Sequence, residues 1–136
     1  MAQRDNPENV VNAYIDAFNR GDSAGMAECF ASQGSILDGM APHLWVGPSA
    51  ASDWYRDVLA EGAHLDAGEY HAMLGDPSHS DVTGDSAYLV APARMTFKLK
   101  GRQITQEGAT FTFALKREGG EWRIAAWAWA KGRAVA

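Results

Sequence analysis

Cys29 is the only cysteine in the 136-residue chain. A lone thiol excludes an internal disulfide and a CxxC metal or redox pair, and it agrees with a reducing, cytoplasmic setting. Positive charge is also scarce: 12 Lys and Arg stand against 17 Asp and Glu, for a formal net charge of −5. Apart from Lys98, Lys100 and Arg102 the basic residues are scattered, so no broad basic face can neutralise phosphates and nucleic acid is not an expected partner. No uncharged apolar run approaches the roughly 18 residues of a membrane span. The opening MAQRDNPENV has neither the basic nor the apolar region of a secretory signal. No membrane association is expected. What is present, 46% hydrophobic and 21% charged residues, suits one globular domain over residues 1–136 with its own core.

Asn6-Pro7-Glu8 supplies an N-cap, a proline at the first helical position and an acid in the first turn. Val10, Val11, Tyr14, Ile15 and Phe18 then recur at helical spacing as far as Gly21. Asp22 or Ser23 can cap a second helix, with Met26, Ala27, Cys29 and Phe30 as its apolar stripe and Gly34 as its stop. Ser35–Asp38 reads as a short strand. Beyond a Gly/Pro-rich loop, Pro48-Ser49 opens a third helix that Gly62 terminates. The period then changes to alternation. Strands are expected at 81–83, 86–91, 94–100, 103–117 and 121–131, separated by glycine turns. Met95, Phe97 and Leu99 alternate with polar neighbours, as do Phe111 and Phe113. Helices placed before a run of strands indicate an α+β domain.

This layout resembles the nuclear transport factor 2-like superfamily, which includes SnoaL-like cyclases and ketosteroid isomerases. The resemblance is carried by AYIDAFNRGDSAGMAECFA, SILDG, WVGPSAASDWY and the terminal EWRIAAWAWAKG. It implies a cone in which three N-terminal helices pack on a strongly curved antiparallel β-sheet. The N-terminal segment is most similar to ketosteroid isomerase, and Tyr14 and Asp38 fall where that family has its oxyanion-binding tyrosine and its aspartate base. Matching the family's FxF to Phe111-Thr112-Phe113 puts the second oxyanion acid near Ala109, whose side chain donates nothing. The implied activity is a proton transfer of isomerase, dehydratase or cyclase type with no cofactor. The other reading is a ligand-binding or dimerisation module with an incomplete site.

Each candidate residue also has a plainer explanation. Asp38 precedes Gly39 and can serve an Asx-type turn, and Tyr14 can be a buried structural tyrosine whose hydroxyl finds a partner. His43, in the loop after Asp38, is a candidate second acid or base, or a solvated loop histidine. His64, His71 and His79 have no metal-ligand spacing, so no metal is expected. Phe18, Trp45, Tyr55, Tyr88, Phe111, Phe113, Trp127 and Trp129 are candidate substrate-binding residues, whereas Trp54 reads as core. The resemblance sends Ala125, Trp127 and Trp129 inward with the two phenylalanines. A cavity walled in this way favours a small apolar or aromatic ligand. Glu107 reads as a solvated residue beside a bulge permitted by Gly108. The opposite sheet face, with Thr96, Thr110, Thr112, Ala126 and Ala128, is small-sided, and superfamily members commonly form a homodimer through such a face.

Overall fold

A computed structural model describes residues 6–135. The first helix, α1 (Pro7–Arg20), starts where the Asn6 side chain accepts a hydrogen bond from the Glu8 N–H at 2.8 Å, and it ends at Gly21 in the left-handed conformation. Its buried stripe includes Val10, Val11, Tyr14, Ile15 and Phe18. Asp22 caps α2 (Ser23–Glu28) through the Gly25 N–H.

This second helix is shorter than its apolar stripe suggests. Strand β1 (Phe30–Leu37) begins at Phe30, because the Cys29 carbonyl is already taken by the Ile124 N–H at 2.8 Å and the chain is drawn into strand pairing. Gly34 therefore lies within a strand and does not stop a helix. A Cβ there would collide with the Phe30 ring. Strand β2 (Leu44–Gly47) folds back on β1, with Trp45 opposite Ile36. Helix α3 (Ala50–Leu65) runs past Gly62 and stops at Asp66, which takes the left-handed cap.

The remaining strands are β3 (Ala67–Leu74), β4 (His79–Thr83), β5 (Ser86–Leu99), β6 (Arg102–Glu118), β7 (Glu121–Ala130) and β8 (Arg133–Val135). The two strands expected at 86–91 and 94–100 are one, continuous through Pro92. The sheet order is β2-β1-β7-β6-β5-β3, with β4 on β5 and β8 on β6. Strands β5, β6 and β7 form the antiparallel meander read from the sequence, but β1 pairs parallel to β7, so the curved sheet is mixed. None of the described helices is long and apolar enough to cross a membrane.

Two bulges decide which side chains face the helices. In β6 the residues Glu107 and Gly108 together oppose Arg94, and Gly108 takes φ 73° to allow it. In β7 the extra residue is Ala125, between the pairs Ala114/Ala126 and Leu115/Ile124. Ala125 therefore does not continue the inward row of Trp127 and Trp129 as simple alternation predicts. That row resumes at Ile124 and Trp122, both buried.

Candidate functional site

Helix α1, the end of β1, α3 and the inner face of β5–β7 enclose a cavity of about 340 Å³, and both Tyr14 and Asp38 line it. Tyr14 is 1% exposed. Its hydroxyl oxygen accepts a hydrogen bond from Trp127 Nε1 at 2.9 Å, which leaves its own proton available to a second partner. Burial holds the phenol well above its ordinary pKa. The Trp127 hydrogen bond works the other way, and the charges of Cys29 and Asp38 add to the rise. Tyr14 is thus a neutral donor at any physiological pH.

Asp38 lies just past β1, where its backbone N–H donates to the His43 carbonyl at 3.1 Å. One carboxylate oxygen accepts from the Gly39 N–H at 2.8 Å. The other accepts from Trp54 Nε1 at 2.9 Å. The first bond is the turn role that Gly39 suggests; the second is long-range and fixes the carboxylate against α3. Trp54 is buried, as a core residue is, but its N–H makes it a positioning residue as well.

The walls are aromatic. Phe111 meets Trp127 and Trp129 edge-on at 4.9 and 5.1 Å between ring centroids, and Trp54 meets Trp127 edge-on at 4.9 Å. Phe18 and Tyr70 complete this surface, and the exposed Gly39, Glu61, Leu65 and Lys131 mark the mouth. At the β5–β6 side, Met95 and Gln106 close it.

The chain matches the family model of the SnoaL-like domain over residues 1–128. It belongs to the SnoaL-like family. Its fold is that of the nuclear transport factor 2-like superfamily. A structural neighbour is the hexachlorocyclohexane dehydrochlorinase LinA-type3 of Novosphingobium barchaimii, with a TM-score of 0.78 at 12% identity over 93% of this chain and 84% of that one. Another is a ketosteroid isomerase-like protein of Erwinia carotovora atroseptica, with a TM-score of 0.74 at 19% identity over 92% of both chains. A Mycobacterium tuberculosis protein of unknown function aligns with a TM-score of 0.73 at 19% identity over 93% of this chain and 69% of that one. At such identities the likeness establishes the fold, not the chemistry. Comparison with curated proteins gives no significant match.

The other candidates of this SnoaL-like domain divide. Phe18, Phe111, Trp127 and Trp129 line the cavity with Tyr14 and Asp38. Phe113 does not: it is fully buried behind Phe111, 4.4 Å away between ring centroids. Trp45 is buried outside the cavity, where its Nε1 donates to Asp57 at 2.8 Å and ties β2 to α3. Tyr55 packs edge-on against Phe18 and lies outside the lining. Tyr88 points to the opposite sheet face, because its neighbours Ala87 and Leu89 take the inward positions. His43 is exposed in the loop; its N–H donates to the Met40 carbonyl and its Nδ1 lies 3.1 Å from the Asp38 carbonyl, so it serves the turn and stands clear of the lining. Among the described residues no group of three His, Cys, Asp or Glu gathers to hold a metal.

Proposed function

We propose that this SnoaL-like domain binds a small, largely apolar or aromatic ligand in its cavity and carries out a cofactor-independent proton transfer of isomerase, dehydratase or cyclase type. The observation that supports this reading is that Asp38 and Tyr14 line one aromatic-walled cavity. Asp38 removes a proton from a carbon next to a carbonyl, and the electron pair moves onto the carbonyl oxygen. Tyr14 donates a hydrogen bond to that oxygen as its charge grows. Trp127 keeps the hydroxyl in place and makes it a better donor by withdrawing charge from its oxygen. Return of the proton to another carbon gives an isomer; expulsion of a group or ring closure gives the other outcomes.

A second reading is a binding module without turnover. It is favoured by Ala109, buried and without a donor where the family resemblance implies the second acid. The test is a panel of β,γ-unsaturated ketones and lactone-forming polyketides assayed with the parent and with Asp38→Asn. Turnover should fall by at least about 100-fold in the variant. Unchanged turnover removes Asp38 from the mechanism, and binding without turnover in the parent selects the module.

Self-association belongs to the same reading. The convex face carries exposed Leu37, Leu44 and Tyr88 around Thr112, Ala114, Ala126 and Ala128, an apolar surface suited to a symmetric homodimer. Light scattering across a concentration series tests it, and a monomer throughout rejects it.

A further inference from the structure

We propose that Lys131 selects ligands that carry a carboxylate, holding that group at the mouth of the cavity while the apolar body of the ligand lies inside. This rests on the cavity being the ligand site, but not on any turnover there. Lys131 is the one cationic residue of the lining. Among the described residues it forms no ion pair, although the chain as a whole carries an excess of acids. An unpaired cation at the edge of an aromatic wall is suited to an anionic group that arrives with the ligand, and such isolated polar contacts fix a ligand's orientation.

The backbone explains its position. Thr110 of β6 pairs with Ala130 of β7, and Glu107 pairs with Arg133 of β8, in one continuous register that sets Lys131 opposite Ala109. Residues opposite each other in an antiparallel pair share a face, and Ala109 is buried on the inner side with Phe111. Lys131 therefore follows Trp127 and Trp129 as the third member of an inward row. Gly132 keeps this segment tight against β6, since a Cβ there would collide with the backbone of Glu107 and Ala109. Where the family resemblance implies an acid, the chain has a methyl group at Ala109 and a cation on the segment beside it.

The other polar residues of the lining decide which side of the mouth a carboxylate takes. Both Asp38 carboxylate oxygens already accept hydrogen bonds, from Gly39 and from Trp54. The Lys131 stem passes Gly39, with its Cδ 3.9 Å from where a Cβ would stand, yet its ammonium is not paired with Asp38. Glu61 belongs to the opposite side. It lies on α3 in the cavity-lining row Trp54, Val58, Glu61, Leu65, next to the β3 residue Tyr70, whose phenol is raised above its ordinary pKa by burial and then by the Glu61 charge. That side repels an anion. The Gln106 side-chain oxygen is buried and out of a ligand's reach. A carboxylate is thus drawn to the β7 side of the mouth, where the flexible lysine stem lets the ammonium meet it. The ligand class that suits this lining is a keto acid with a flat apolar body against Phe111 and Trp129, a carbonyl for Tyr14 and an outward carboxylate for Lys131.

The probes are a naphthyl γ-keto acid, its methyl ester, and the ketone with a trimethylammonium group in place of the carboxylate. Titration calorimetry with the parent at low ionic strength should show the acid binding about fivefold tighter than the ester, the effect of one partly exposed ion pair. Added salt should shrink that preference. Lys131→Met should remove it by weakening the acid while leaving the ester unchanged, and Lys131→Arg should keep it. Three results overturn the assignment and leave the cavity reading standing: equal binding of acid and ester by the parent, a preference that survives in Lys131→Met, or tighter binding of the ammonium probe than of the acid. Failure of every probe to bind the parent rejects both, whereas loss of turnover in Asp38→Asn bears only on the chemistry. A ligand-free measurement is independent of the probes: Lys131 is exposed, so Lys131→Met should leave the melting temperature unchanged. A lowered melting temperature would show that the lysine has a structural partner and would defeat the proposal.

Discussion

The two ends of the cavity treat their polar atoms in opposite ways. At the β1 end an indole N–H holds each reactive group: Trp127 donates to Tyr14 and Trp54 donates to Asp38. At the β6 end the Gln106 oxygen has no partner. Held groups keep one geometry before a ligand arrives, which is what proton transfer requires. A buried oxygen without a partner instead costs stability whether or not a ligand is present.

Removing the base is the severest way to break this contrast, and Asp38→Asn is expected to have the largest effect on turnover. Tyr14→Phe comes next, with turnover reduced by about 100-fold, the usual consequence of losing one oxyanion donor. It also strands the buried Trp127 N–H, and denaturant unfolding should register a loss of about 1–3 kcal/mol. A pH dependence follows from the same residue. The folded-state pKa of Tyr14 is raised above its unfolded value by burial, so the folded state holds the proton where the unfolded state releases it. That stability is fully present below the ordinary tyrosine pKa of about 10 and declines as pH rises above it. The decline should be shallower in Tyr14→Phe, where only groups such as Tyr70, also raised by burial and by the nearby Glu61 charge, remain to cause it. Equal slopes in parent and variant would contradict a neutral, buried Tyr14.

Trp54→Phe sharpens the contrast by keeping the base and loosening its support. The carboxylate retains the Gly39 bond and loses the one that fixes it against α3. Turnover should fall by about tenfold, with the change in kcat and little in KM, since orientation matters more to the transition state than to ground-state binding. A change confined to KM would make Trp54 a wall residue only.

Much of this arrangement was legible in the residues because it depends on local signals. Asn6, Pro7 and Gly21 bound α1, and helical spacing puts Tyr14 on its buried stripe. The glycine turns mark the meander, and the family resemblance singles out Asp38. What could not be read locally depends on pairing between distant segments. Helix α2 ends early because Cys29 meets Ile124, and β1 becomes a long strand because it lies parallel to β7. The bulge at Gly108 could be anticipated from the glycine, but not its consequence. One residue of register exchanges Glu107 for Gln106, and sequence alone does not fix which residue carries the extra count. Trp54 was hidden for a different reason: an indole needed for packing and an indole needed for its N–H look alike in a sequence. Tyr88 was misplaced for want of its strand's register, which puts Ala87 and Leu89 inward.

The smallest expected effect belongs to Trp45→Phe, which separates a local bond from a cavity bond. Trp45 donates to Asp57 as Trp54 donates to Asp38, with distances of 2.8 and 2.9 Å and in both cases a buried indole on a carboxylate. If any indole–carboxylate bond near α3 supported the site merely by stiffening the scaffold, the two substitutions would act alike. Trp45 lies outside the lining, so its substitution should cost stability of about 1–3 kcal/mol through lost packing and one lost hydrogen bond. Turnover should stay within about twofold of the parent, a change of about 0.4 kcal/mol. A loss of turnover matching that of Trp54→Phe would mean that the held end of the cavity owes its geometry to the rigidity of α3 as a whole. A near-neutral result assigns that geometry to the single bond between Trp54 and Asp38.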